Sequence, residues 1–342
     1  MAFDSASQKV KCPFCDSVYD MEQFKPKDEV LEQEIKEKAP ADDGWQEGET
    51  DSLRTYVCQS CGGEIVSDAT TAATSCPYCD NPVVIKQQFS GMLKPKYVIP
   101  FKYDKEHAKK ALKRHFEGKK LLPKVFKDEN HIDEVRGVYV PVWLFNAKMK
   151  ANIKYKATRV RSWSDSRYNY TETSFFAIDR GGSIGFERVP VDGSSKMPDD
   201  LMESVEPYNF KDAVYFQTEY LAGYLADKYD IDDGVSMQRA AARMKKSAED
   251  AFKKTVTGYA TVMTESSDVS ATANEASYAL YPVWILNTTW QGKKYLFAMN
   301  GQTGKLVGNL PMDKGAYFRW LFGIAGIVTA VCVGLSLLLH IM

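Results

Sequence analysis

Two Cys-x-x-Cys pairs, Cys58/Cys61 and Cys76/Cys79, lie fourteen residues apart and constrain this chain more than any other feature. Each pair forms a tight knuckle that aims two thiols at one point. Gly62, Gly63 and Asn81 stand where such turns need a positive φ. Residues Glu64 to Ser67 predict a hairpin arm that folds one knuckle over the other, so that four thiolates enclose a tetrahedral zinc ion. Four thiolates leave no open position for water or substrate, so a site at Cys58, Cys61, Cys76 and Cys79 is structural. Metal binding of this kind contributes on the order of 10 kcal/mol or more to folding. The rival reading of Cys76-Pro77-Tyr78-Cys79 is a redox pair, which needs a helix after the second cysteine. Asp80-Asn81-Pro82 followed by Val83-Val84-Ile85 predicts a turn and a strand instead.

Cys12 and Cys15 form a third pair of the same spacing. Residues 2–11 fit the hairpin that leads into the second knuckle of another ribbon, whose first knuckle falls before Met1. The expectation is half a ribbon over 1–24, with Cys12 and Cys15 as an incomplete metal site and a start codon further upstream. An acidic spacer over 25–53, with a short helix at 29–38, separates it from the complete ribbon at 54–88.

The other end of the chain is apolar. Trp320 to Ile341 is 22 residues without a formal charge, and at about 1.5 Å per residue a helix of that length reaches roughly 33 Å, enough to cross a bilayer. Tyr317, Phe318 and Trp320 fit an interfacial aromatic belt, and the predicted membrane helix covers 317–341. Lys305, Lys314 and Arg319 lie on the N-terminal side of the uncharged run, which places the bulk of the chain in the cytoplasm by the positive-inside rule. Residues 1–11 contain no apolar signal-like stretch. The expected localisation is therefore the cell membrane, single-pass, with the lipid bilayer itself as one partner. Gly326, Ala330 and Gly334 share one helix face and suit self-association of two spans. Cys332 reads as a small apolar residue.

With 44 basic against 45 acidic side chains, the chain is not built as a counterion for nucleic acid. Its 44% apolar content excludes wholesale disorder and a multi-span protein. Charge is nevertheless local. Residues 105–127 hold nine basic and two acidic side chains, and a second basic helix over 237–256 carries Arg239, Arg243, Lys245, Lys246, Lys253 and Lys254. Beside a membrane, such helices attract anionic headgroups. A nucleic-acid surface is the competing reading, and no aromatic stacking platform is interleaved with these lysines.

An internal repeat is visible. Pro141-Val142-Trp143-Leu144-Phe145-Asn146 matches Pro282-Val283-Trp284-Ile285-Leu286-Asn287, each after a basic helix and before alternating strands (153–160 and 295–299). Trp143 and Trp284 read as core anchors. The fold class this predicts is α+β: a zinc ribbon, then a duplicated α+β module over 89–312 with antiparallel sheets, then the membrane helix. Further expectations are a strand at 97–101, helices at 105–117 and 220–230, and a hairpin turn at 300–305. Gly301 to Leu306 lacks the earlier glycine and the Ser or Thr of a phosphate loop, and the four histidines pair with no nucleophile, so no catalytic residue is nominated.

The Cys58 to Ile85 ribbon, the run Thr70 to Cys79, the Gly137 to Trp143 strand and the terminal span together resemble bacterial TFIIB-type zinc-ribbon membrane proteins of the YdjG kind. Members of that family usually carry two complete ribbons; this chain matches the second and the latter half of the first. The resemblance implies an adaptor at the membrane, associated in some genomes with a phage-shock PspA-like protein. The leading expectation is thus a tail-anchored scaffold that docks protein partners, with a role in the envelope-stress response. The alternatives are a membrane-tethered nucleic-acid-binding protein and an enzyme with an unrecognised site in the α+β region.

Overall fold

The computed structural model describes residues 2–4, 8–11, 18–19, 44–45, 48–68, 75–88 and 93–341. Three short strands, β1 (Ala2–Asp4), β2 (Lys9–Lys11) and β3 (Val18–Tyr19), form a small sheet of their own. The expected helix at 29–38 and most of the acidic spacer lie outside the described residues.

The remaining strands share one 11-stranded sheet. It begins with β4 (Leu53–Cys58), β5 (Glu64–Asp68) and β6 (Val83–Gln88), β4 lying between the other two. Then follow β7 (Tyr97–Val98), helices α1 (Lys105–Phe116) and α2 (Glu129–Ile132), and two long strands, β8 (Arg136–Ser164) and β9 (Asn169–Asp192). The second half contains α3 (Asp199–Val205), β10 (Val214–Tyr215), β11 (Leu225–Asp227) and α4 (Asp233–Lys254). It ends with β12 (Thr261–Trp290), β13 (Lys293–Asn300), β14 (Leu306–Gly308) and α5 (Lys314–Ile341).

The sheet is mixed rather than antiparallel. β11 runs parallel to β8, and β7 parallel to β12, while the other pairings are antiparallel. Its centre is buried on both faces, and strand periodicity sorts the side chains. Tyr139, Trp143 and Phe145 enter one core with Phe101, Trp284 and Phe297; Val138, Val140, Val142 and Leu144 enter the other with Tyr281 and Val283. The strand expected at 97–101 is only two residues long, because Ile99 onwards turns toward α1. The helix expected at 220–230 does not form. Thr218–Leu221 is a 3₁₀ turn, Gly223 has φ +86°, and Leu225–Asp227 is needed as the parallel neighbour of β8 and the antiparallel neighbour of β5.

The two Pro-Val-Trp segments make matching contacts, and the halves are exchanged. The Trp143 indole N–H donates to Ile231 O at 2.8 Å, and that of Trp284 to Tyr103 O at 2.9 Å. Gly193 N–H donates to Pro141 O and Gly301 N–H to Pro282 O. Gly193 O accepts from the N–H groups of Asp230 and Ile231, and Gly301 O from those of Lys102 and Tyr103. Each tryptophan of one half is therefore pinned by the strand-to-helix loop of the other half.

Beyond residue 147, β8, β9 and β12 run on as a three-stranded antiparallel arm. At about 3.3 Å per residue the 29 residues of β8 reach roughly 90 Å. Along the inner half of the arm, alternate residues Ala151, Ile153, Tyr155 and Ala157 are buried. α4 covers that face, presenting Ser236, Ala240, Met244 and Ala248 at four-residue spacing, three of them small enough for close approach. At the tip Trp163 stacks on Tyr170, Arg161 lies over Trp163, and Tyr168 and Phe175 are exposed.

α5 starts at the opposite end of β8. Asp313 N–H donates to Leu121 O at 2.9 Å; the loop after α1 packs Phe126 on Tyr295 and Phe297; and those residues pair with Thr288 and Leu286, beside Arg136. The Asp313 carboxylate caps the helix by accepting from Gly315 and Ala316 N–H. Over Lys314–Gly334 the helix is long and apolar enough to cross a membrane, and none of that stretch is buried in the protein.

Candidate metal centre

The knuckles are built by matching backbone hydrogen bonds. Cys58 N–H donates to Gly63 O, and Gly62 N–H to Cys58 O; Cys76 N–H donates to Asn81 O, and Asp80 N–H to Cys76 O. The positive φ falls four residues after the first cysteine of each pair, at Gly62 (+69°) and Asp80 (+61°). Gly62 is as expected. Asp80 takes the place foreseen for Asn81, held there by Ser75 Oγ (3.2 Å) and Arg136 Nη2 (3.1 Å). β5 pairs with β4 to bring the knuckles face to face, and β6, not a helix, follows Cys79. The helix dipole that a redox Cys-Pro-Tyr-Cys motif uses is absent from this site.

The four sulfurs of Cys58, Cys61, Cys76 and Cys79 all lie within 4.8 Å of one another. The closest approaches cross between knuckles, Cys58 Sγ to Cys79 Sγ at 3.4 Å and Cys61 Sγ to Cys76 Sγ at 3.6 Å. Four thiolates on metal–sulfur bonds of about 2.3 Å span a tetrahedron with edges of about 3.8 Å. The four cysteines are free thiols, so the donor set fits one tetrahedral ion. Three of the four are buried, Cys61 being partly exposed. Burial pushes the Cys76 and Cys61 thiols up. Burial acts in the same direction on Cys79, but hydrogen bonds from the Asn81 backbone and side-chain amides and from Cys58 and Cys61 bring it down to about 6. Cys12 and Cys15 lie outside the described residues. Cys332 is exposed on α5, apart from this cluster.

The centre is part of the main sheet, not an appended module. β5 pairs with β11. Asn287 Nδ2–H, from the second Pro-Val-Trp segment, donates to Tyr78 O at 2.7 Å between the two cysteines of the second knuckle. Arg136, at the start of β8, donates to Ser75 O at 2.6 Å. Beneath Tyr78 is a buried acidic group that the sequence reading did not single out. Ser194 Oγ–H donates to Asp227, and Ser194 N–H to Asp192 Oδ1. Among the described residues Asp192 Oδ2 is buried without a hydrogen-bond partner, and the Tyr78 hydroxyl lies against the buried Asp227 carboxyl. Burial pushes Asp192 up to about 8 and Asp227 up to about 7. The signal was present in the return strands: Asp192-Gly193 and Asn300-Gly301 end β9 and β13 at equivalent places, and Asp stands where the other half has Asn.

The chain is similar to the uncharacterized protein YdjG of Bacillus subtilis (strain 168), with 34% identity over 243 residues, 71% of this chain and 71% of the relative. No family model matches the chain, and no solved structure does.

Proposed function

The chain belongs to the family of the Bacillus subtilis YdjG protein, and from that premise we propose that it is a membrane-anchored, zinc-bound scaffold that docks cytosolic partners on its β arm. One observation carries the reading: the helix fit to span a bilayer and the exposed aromatic tip stand at opposite ends of one continuous strand. A rooted helix at one end leaves the other free to reach into the cytoplasm. Trp163, Tyr170 and Phe175, exposed beside arginines, are the residue types that dominate protein–protein contacts. PspA-like membrane-stress proteins are the partner class that the resemblance suggests.

Zinc is the ion that four cysteine thiolates at these separations suit best, and its role is to neutralise and cross-link the two knuckles. The matched tryptophan contacts support a duplicated module whose halves exchange their loops. On α5, a Cβ added at Gly326 or Gly334 meets nothing, which suits close packing of a second span.

The test is affinity capture from solubilised membranes with the full chain, a form ending at Gly315, and the triple variant Trp163→Ser/Tyr170→Ser/Phe175→Ser. The full chain is expected in the membrane fraction with its partners, the form ending at Gly315 in the supernatant, and the triple variant in the membrane without the partners. A triple variant that captures the same set overturns arm docking. Salt-dependent retention of random DNA by the full chain favours the nucleic-acid reading instead. Turnover that survives Cys58→Ser favours an enzyme.

A further inference from the structure

At the root of α5 the loop that follows α1 leans on the helix and leaves a groove of about 320 Å³, lined by Lys120, Ala316, Arg319, Trp320, Gly323, Ile324 and Ile327. Its two ends differ in chemistry. The upper end holds two cations. Lys120 Nζ lies 4.4 Å over the Trp320 ring and makes no ion pair among the described residues. Arg319 reaches Asp313 only at 4.0 Å, and Asp313 Oδ1 is engaged in capping the helix. The lower end is a glycine notch, Gly323, running onto Ile324 and Ile327 on the exposed apolar face. Lys119, Lys124 and Lys127 belong to the same loop, which contains no acidic residue from 119 to 127.

We infer that this groove is a site for one anionic phospholipid, its phosphate between Lys120 and Arg319, its glycerol against Trp320 and an acyl chain along Gly323 and Ile327. The inference rests on the membrane-anchor reading and deepens it. A charged head over an apolar floor is the shape of a lipid, and Trp320 sits where aromatic side chains meet the interface. Free phosphate satisfies only the upper end. The structure also separates the two basic segments: the one around 105–127 meets the root of α5, whereas α4 packs on the arm.

Quenching of Trp320 fluorescence tests this with the full chain in phosphatidylcholine vesicles containing a minor fraction of brominated phosphatidylglycerol or, in parallel, brominated phosphatidylcholine. Each cation near the surface favours an anionic headgroup by about fivefold, so the two together give a preference of roughly 25-fold at most. The brominated phosphatidylglycerol is expected to quench far more at equal mole fraction. Lys120→Ser and Arg319→Ser should each reduce the preference, their combination should erase it, and Trp320→Phe should remove the signal. Both cations are exposed, so neither substitution threatens folding. Equal quenching by the two lipids, or a preference intact in the double variant, overturns the lipid site but leaves the anchor. A preference abolished by inorganic phosphate in the buffer overturns the assignment to lipid. Quenching by neither lipid overturns the site and the anchor together.

Discussion

Replacing Asp192 with Asn should change how stability depends on pH. Asp192 is buried where β9 ends, and its counterpart at the end of β13 is Asn300. Asn300 Oδ1 accepts from Gln302 N–H, as Asp192 Oδ1 accepts from Ser194 N–H, while Asn300 Nδ2–H donates to Val205 O and Pro207 O. Among the described residues Asp192 Oδ2 has no such partner. Burial, aided by the charge of Asp227, moves its pKa from 3.8 to about 8. A carboxyl whose pKa is raised on folding contributes fully below the unfolded value, and that contribution is lost as pH rises through the folded value. Between about pH 4 and pH 8 the wild type should therefore lose about 1.4 kcal/mol per pH unit through this group, with a ceiling of about 6 kcal/mol. Asn at 192 carries no proton to lose. Urea unfolding of the full chain in a mild non-ionic detergent at pH 5, 6 and 7 measures the difference between variant and wild type at each pH. Contributions from the cysteines and from acids that do not interact with Asp192 cancel in that difference, and Asp227, which does, is held constant by making the same comparison in an Asp227→Asn background. It should move in favour of Asp192→Asn by about 2–3 kcal/mol from pH 5 to pH 7. A difference that stays constant across that range refutes a buried, protonated Asp192.

Native mass spectrometry should show one metal ion per chain for the wild type and none for Cys76→Ser, and a chelator should expose the amides of β4 to β6 to hydrogen exchange; retention of metal by the variant would refute the four-sulfur site. Gly301→Ala should cost about 1–3 kcal/mol, because its Cβ would meet the buried Phe101 ring at 2.5 Å and Pro282 at 2.8 Å. Gly193→Ala should cost less, its nearest contacts being the Trp143 ring at 3.2 Å; equal losses in a thermal melt would refute that ranking. Trp143→Phe and Trp284→Phe each remove one indole hydrogen bond and should cost similar amounts, about 1 kcal/mol beyond any packing loss. A large disparity in denaturant midpoints would argue against equivalent halves.

How far the sequence was legible depended on whether a feature is written in residue type or in partner choice. The cysteine spacing foretold the four-sulfur cluster because thiols at that spacing have few other arrangements. The Pro-Val-Trp match located two equivalent strands for a similar reason. Which loop each indole would meet was not legible, since its acceptor is a backbone carbonyl, Ile231 O or Tyr103 O, and a carbonyl has no sequence signature. The mixed sheet follows from that exchange, because each loop brings its own short strand, β11 or β7, in parallel beside the other half's long one. Residues 220–230 imitated a helix because Tyr220, Leu221, Tyr224 and Leu225 fall at helical spacing, yet these residues pack into the core from a 3₁₀ turn and a strand. The arm was underestimated for another reason. β8 changes from an apolar run, buried on both faces, to alternation at Ala147, and each part alone resembles a separate strand.

The exchanged contacts also connect the cysteine cluster to the head of α5. Tyr78 is held by Asn287 on β12; three residues earlier on that strand, Trp284 is held by Tyr103; and Tyr103 leads into α1, whose following loop receives Asp313 at the head of α5. Each link is a hydrogen bond or a covalent step along the chain, and none depends on the arm beyond residue 147. Loosening of the second knuckle would release Tyr78 from β12 close to the end of the sheet where α5 is rooted, while the arm keeps its own support from α4. Disruption of the cysteine cluster should therefore alter the setting of α5 before it alters the tip of the arm.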